Sequence, residues 1–202
     1  MNRRRYFDEV SNSPDPLLFT PADHPKLERL RMRLGDLRGK FVLEPGCGAG
    51  PLTELLSRWV GAEGRILAFD SSRGMIAQCR SRLGRAKNVE IVNAAMEELA
   101  LDAAAWDLVI LFRVFPHFED KPLVLRKLRT SIATGGRLVI ANLVGSGQLN
   151  ALHAGFSEPV RHDRMPCLNG MRTMLEETGF EIMEAVDEEE DYYLAARPIS
   201  GV

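Results

Sequence analysis

The chain has 202 residues, a formal net charge of -2, 45% apolar side chains and 27% charged ones, the proportions of a soluble globular protein of one ordinary domain. So small a net charge gives no global attraction to nucleic acid or anionic membrane. No apolar run nears membrane-spanning length, and Arg3-Arg4-Arg5 leads into Tyr6-Phe7-Asp8-Glu9 and not into the apolar core of a signal peptide. Three cysteines, Cys47, Cys79 and Cys167, form an odd set without a C-x-x-C pair, so the expectation is a reducing cytoplasm and no metal site. Residues 1–40 are mildly basic, whereas 176–191 carry nine acidic side chains and no basic one. Both read as solvated faces and a turn.

Residues 1–21 mix Asn, Ser, Pro and Asp with apolar points at Tyr6, Phe7, Leu17, Leu18 and Phe19, which reads as a loose arm or lid. Residues 22–37 align Leu27, Leu30, Leu34 and Leu37 along one side of a helix. The most informative stretch follows. Phe41, Val42 and Leu43 close a buried strand, Glu44 comes next, and Gly46, Gly48 and Gly50 alternate. Leu52, Leu55, Leu56, Trp59 and Val60 then make one apolar helical face. Pro51 suits the first helical turn, where its missing N–H has no partner to lose. The glycines therefore form a tight strand-to-helix turn that lets a ligand approach bare backbone and the free N–H groups of the helix start. A dinucleotide fingerprint requires its third glycine five residues after the first, and that position is Pro51.

Arg65–Asp70 is a second strand ending in an acid placed to accept ribose hydroxyls, and Ser71-Ser72 starts a helix buried through Met75, Ile76, Cys79 and Leu83. Val89–Asn93 is a third strand. Trp106–Phe112 is a strand apolar enough for burial on both faces. A helix opens near Asp120 and Pro122 with Val124, Leu125, Leu128 and Ile132 inward. Gly135-Gly136 turns the chain into the strand 137–141. Residues 143–167 are too long for a plain connector. A last helix carries Met171, Met174 and Leu175 and stops at Gly179, and 180–186 pairs with 192–196 as a hairpin across an acidic turn.

The run E-x-G-x-G-x-G from Glu44, with D-x-S-x-x-M at Asp70, resembles the cofactor motifs of the class I S-adenosylmethionine-dependent methyltransferases. The middle of the chain, W-D-L-V-I-L, then P-H-F-x-D, then G-G-R-L-V-I, is similar to that family too, so the resemblance spans about residues 40–197. It implies a doubly wound, Rossmann-like α/β fold with a mostly parallel seven-stranded sheet and an antiparallel C-terminal strand. One domain over 1–202 is expected: an arm and helix at 1–39, a cofactor core at 40–142, a substrate or cap segment at 143–167, and a helix and hairpin at 168–202. By resemblance, Glu44 holds the amino group of S-adenosylmethionine and Asp70 its ribose. Gly46, Cys47, Gly48, Gly50, Ser71, Met75, Ala95, Met96 and Phe112 complete the cofactor site. The family's usual adenine-reading Asp is replaced by Ala94, leaving Asn93 and the backbone at Ala95 and Met96.

Methyl transfer needs alignment more than a dedicated catalyst. His117, just past the fourth strand, and His153 are candidate bases, and Asn150, His153 and Tyr6 are candidate substrate contacts. The N-P-P-[YF] motif of amino-directed relatives is absent after this strand, and no basic stripe with aromatics marks a nucleic-acid substrate. His153, His162, Asp163 and Cys167 match no zinc spacing. The expected function is methyl transfer to a small molecule, with a non-catalytic S-adenosylmethionine-binding module as the alternative and a nicotinamide oxidoreductase a distant third.

Overall fold

The computed structural model describes residues 2–13 and 17–199, and the chain divides into two compact units, 1–99 and 100–202. The first unit holds three parallel strands in the order β3-β2-β1: β1 (Phe41–Pro45), β2 (Arg65–Asp70) and β3 (Val89–Asn93). Between them run α3 (Pro51–Val60) and α4 (Arg73–Leu83). Val42 and Leu43 are fully buried, so the chain reaches Glu44 from inside the core. Glu44 stands opposite Ala68 and Pro45 opposite Phe69, so β1 and β2 end in step. The Phe69 carbonyl then accepts from the N–H groups of both Gly46 and Cys47 (2.7 and 3.1 Å). On α3, Leu52, Leu56 and Val60 are buried and Leu55 and Trp59 half-buried, as the apolar stripe requires.

The N-terminal segment is more ordered than a loose arm. Arg3–Val10 forms a helix, α1, whose N-cap Asn2 accepts from the Arg5 N–H (2.9 Å). The Asp8 carboxylate accepts from Ser72 Oγ (2.6 Å) and the Gly74 N–H (3.1 Å) at the start of α4, and the Gln78 amide donates to the Ser11 carbonyl. Gly74 is required there, since a Cβ would stand 1.9 Å from Ser11 Oγ. The polar composition that suggested a loop in fact makes the docking contacts. A 3-10 turn (Pro21–Asp23) leads into α2 (His24–Leu34), which buries Leu27, Leu30 and Leu34.

The second unit orders its strands β4-β5-β7-β6: β4 (Trp106–Phe112), β5 (Ile132–Asn142), β6 (Phe180–Glu188) and β7 (Asp191–Pro198). β4 and β5 are parallel, whereas β7 is antiparallel to both β5 and β6. The helices are α5 (Lys121–Ser131), α6 (Ser146–Ala154) and α7 (Leu168–Glu177). β5 begins earlier than expected. Ile132 pairs with Trp106, and the register breaks before Arg137 pairs with Leu108. Gly135-Gly136 is thus an irregularity within β5, because Gly135 takes a φ of 80° and a Cβ at Gly136 would lie 2.7 Å from the Trp106 carbonyl. The hairpin is also longer than expected, leaving only Glu189-Glu190 between its strands. With seven strands among the described residues, mostly parallel, and β7 antiparallel, the fold is the doubly wound, Rossmann-like α/β class. Among the described residues no helix is long and apolar enough to cross a membrane.

Asp8→Ala removes the two bonds from α1 to the start of α4. Hydrogen exchange at residues 3–10 is expected to speed up by about tenfold, the equivalent of about 1.4 kcal/mol, with β1 and β2 unchanged. Unaltered protection of α1 would contradict the docking.

Candidate active site

In the first unit the site forms around the end of β1. Glu44 is only 3% exposed, and its Oε2 has no hydrogen-bond partner among the described residues. Burial pushes its carboxyl well above the usual range, and Cys79 and Asp70 add to this. The Thr53 hydroxyl opposes it, from a position in which Thr53 Oγ1 and Glu44 Oε2 both stay outside hydrogen-bond geometry. Gly46, Gly48 and Gly50 all adopt left-handed φ, 70°, 55° and 81°, the region a side chain disfavours. At Gly50 a Cβ would also lie 2.6 Å from Cys79 Sγ, so only glycine lets the turn lie this close to α4. Cys47 is buried, and the adjacent Cys79 sulfur together with burial pushes its thiol up. It is therefore a packing group and not a nucleophile.

Asp70, at the end of β2, ties this turn to α4. Its Oδ2 accepts from the Gly48 N–H (3.0 Å) and its Oδ1 from the Ser72 N–H (2.9 Å). Ser72 caps α4 by accepting from the Met75 N–H (3.2 Å), and Met75 is buried. At the end of β3 the Asn93 amide donates to the carbonyls of Asp70 and Ser71 (2.9 and 3.1 Å), and the Ala95 N–H donates to Glu98 Oε2 (2.9 Å). Those donors already serve the fold, and Met96 is buried. Tyr6 is half-buried on α1, edge-on to Phe7 at 5.3 Å.

In the second unit Phe112 ends β4 buried, Arg113 takes a φ of 57°, and a 3-10 turn (Phe115–His117) follows. Lys121 Nζ braces this turn by donating to the carbonyls of Pro116 and Phe118 (3.0 and 2.8 Å). His117 Nδ1 lies 2.6 Å from Asp163 Oδ2. His153, on α6, is 5% exposed, and its Nδ1 lies 2.9 Å from the Asp163 carbonyl oxygen. Burial holds the His153 pKa below its ordinary value. The His117 and His153 rings are 5.2 Å apart at 33°. One turn earlier, Asn150 brackets Met165, donating to its carbonyl (2.9 Å) and accepting from its N–H (2.8 Å). Asn150 and His153 thus project from the same side of one helical turn, and both are tied to the backbone of 163–165. The pairing of His117 with Asp163 is what sequence reasoning missed, since the two are 46 residues apart and no local pattern joins them. Among the described residues no group of three or more His, Cys, Asp or Glu side chains could hold a metal ion. His162 pairs with Glu158 (2.8 Å), and Cys167 is exposed.

The raised Glu44 pKa has a definite sign. Its contribution to stability is complete below the ordinary value of 4.5 and is lost as pH rises through the higher folded value. Glu44→Gln is therefore expected to raise the thermal midpoint of the ligand-free protein at pH 8, with the gain shrinking toward pH 4.5. A gain that does not depend on pH would contradict the assignment.

Residues 42–136 match the methyltransferase domain family. A ubiquinone/menaquinone biosynthesis C-methyltransferase of Idiomarina loihiensis is 35% identical over 109 residues, covering 52% of this chain and 43% of that protein. The matched regions span 38% to 66% of the lengths of the curated relatives. Among solved structures, DhpI in complex with SAH superposes with a TM-score of 0.73 at 22% identity over 97% of this chain and 95% of that one. A SAM-dependent methyltransferase from Aquifex aeolicus gives 0.69 at 20%, over 88% and 98%. The residues fit the cofactor of such proteins: a buried carboxylate oxygen without a partner among the described residues suits an ammonium, and three left-handed glycines leave the turn beside it as bare backbone. This fold, this site and these likenesses support residues 42–136 as a class I S-adenosylmethionine-dependent methyltransferase domain.

Proposed function

We propose that the protein transfers a methyl group from S-adenosylmethionine to a small-molecule acceptor in the cytoplasm. The observation that carries this reading is Glu44, a buried carboxylate whose Oε2 lacks a partner at the lip of the glycine turn. Such a group is costly unless a cation completes it, and the amino group of the cofactor is a cation of the required size. When bound, the cofactor supplies an electrophilic methyl on a sulfonium sulfur. Glu44 would hold the amino group, and the backbone of Gly46, Cys47, Gly48 and Gly50 would receive the methionine half. Asp70 would accept from the ribose, with Ser71 and Met75 as further contacts. Ala95 and Met96 would line the remainder within the first unit, and Phe112 is a candidate contact of the second. His117 serves the acceptor, and Asn150 and His153 fix the segment 163–165 that supports it. Tyr6 contributes from α1.

Calorimetry is expected to show micromolar binding of S-adenosylmethionine and S-adenosylhomocysteine, about 8 kcal/mol, and far weaker binding of NAD. Glu44→Gln and Asp70→Ala should each weaken S-adenosylhomocysteine by roughly 10- to 100-fold, through loss of charge-assisted bonds of about 1.5–3 kcal/mol. NAD binding more tightly than either sulfur ligand would overturn the reading. Binding without demethylation of the cofactor across a broad metabolite panel would leave only a binding module.

A further inference from the structure

Leu17 stands apart from the leucines that build the core. It is 39% exposed, yet its φ is 66°, in the left-handed region that the Cβ of a leucine disfavours. Strain of this kind persists only where neighbouring contacts impose it, and it collects at ligand sites. Here the contact is with the glycine turn. A Cβ placed on Gly48 would meet Leu17 Cδ1 at 3.3 Å. Apart from the chain neighbours of Gly48, no other heavy atom of the described residues lies within 4 Å of that position. We propose that Leu17 plugs the cofactor cradle: it rests on Gly48 in the resting protein and withdraws when S-adenosylmethionine enters. The segment after α1 then governs how fast the cofactor binds. This inference rests on the methyltransferase reading above.

Space decides between the two occupants. A residue without a side chain offers a ligand a face of bare backbone, and at Gly48 a leucine methyl covers that face. Gly48 is buried, and its N–H is held by Asp70 Oδ2 (3.0 Å), so the turn is fixed in place. Packed carbon atoms sit about 3.5–4.0 Å apart. A ligand atom laid against the Gly48 backbone therefore needs the place that Leu17 Cδ1 holds. Both cannot be there at once.

The plug is held weakly between two firm anchors. On one side, Asp8 docks α1 onto the start of α4, and Ser11 is buried with its hydroxyl donating to the Asp8 carbonyl (2.7 Å). On the other, the Thr20 N–H and Oγ1 both donate to Asp23 Oδ2 (2.7 and 2.9 Å). Leu17 and Leu18 lie between these anchors and remain 39% and 38% exposed. Their burial therefore contributes only part of what a core leucine gains, and the left-handed backbone of Leu17 opposes that gain. Withdrawal of Leu17 requires neither anchor to break.

A plug has a definite thermodynamic signature. Only the withdrawn form accepts the cofactor, so the apparent affinity is the intrinsic affinity reduced by the fraction of molecules withdrawn. Trimming the Leu17 side chain raises that fraction and speeds association. A roof that closes over bound cofactor has the opposite sign, because trimming it removes a contact with the ligand and speeds dissociation.

The test uses the full chain with methyl-labelled leucine, and Leu17→Ala identifies the Leu17 signal by its loss. Without added ligand, a nuclear Overhauser contact is expected between the Leu17 methyls and the Gly48 α-hydrogens. Saturating S-adenosylhomocysteine should abolish it, with no new contact from Leu17 to the ligand. Its absence before ligand is added, its survival at saturation, or a Leu17 contact with the bound ligand would each overturn the plug. In a kinetic arm, surface plasmon resonance follows S-adenosylhomocysteine on the wild type and on Leu17→Ala. The variant should associate about 3- to 10-fold faster and bind tighter by the same factor, with a dissociation rate within about twofold. An unchanged association rate, or weaker binding through faster dissociation, would sink this inference while leaving the methyltransferase reading intact. Failure of both proteins to bind would sink that reading and the plug together.

Discussion

A carboxylate carried into the interior without a partner is the constraint on which residues 41–75 depend. Two fully buried residues, Val42 and Leu43, lead the chain to Glu44, and Oε2 then finds no donor among the described residues. Only a chain that turns at once on bare backbone can bring a ligand to it, which is why three left-handed glycines follow and why Gly50 cannot yield to Cys79. Stability and function pull in opposite directions here: an amide would suit the ligand-free fold better, and the carboxylate suits the cofactor.

Asp70 transmits this arrangement to the neighbouring helix. By accepting from Gly48 and Ser72 it fixes the glycine turn and the start of α4 relative to each other. Asp8 then docks α1 onto the same helix start through Ser72 and Gly74, where the N–H groups and the positive end of the helix dipole favour an acid. In the second unit Asp163 is the corresponding anchor, taking His117 on its carboxylate and His153 on its carbonyl. Each of these acids links segments distant in sequence.

That distance explains what could be read from the sequence. β1, the glycine turn, α3, β2 and β4 have local signatures: apolar runs, helical stripes and caps that neighbouring residues enforce. Glu44 and Asp70 were legible because a spaced motif marks them. α1 was not, since its helix is held by polar contacts to residues 72–78 and not by an apolar stripe. The early start of β5 was hidden because the glycine pair reads as a turn until Trp106 is seen beside it. His117 and Asp163 were each visible, but their pairing exists only once α6 and the chain after it bring residue 163 to the 3-10 turn.

The most direct measurement of the central claim is the number of protons exchanged when S-adenosylhomocysteine binds, taken by calorimetry in buffers of different ionisation enthalpy between pH 5 and 8. A carboxyl whose hold on its proton burial strengthens in the free protein must give that proton up to receive an ammonium. The account predicts net proton release on binding that disappears in Glu44→Gln. Binding with no linked proton anywhere in that range, or with release unchanged in Glu44→Gln, would contradict it.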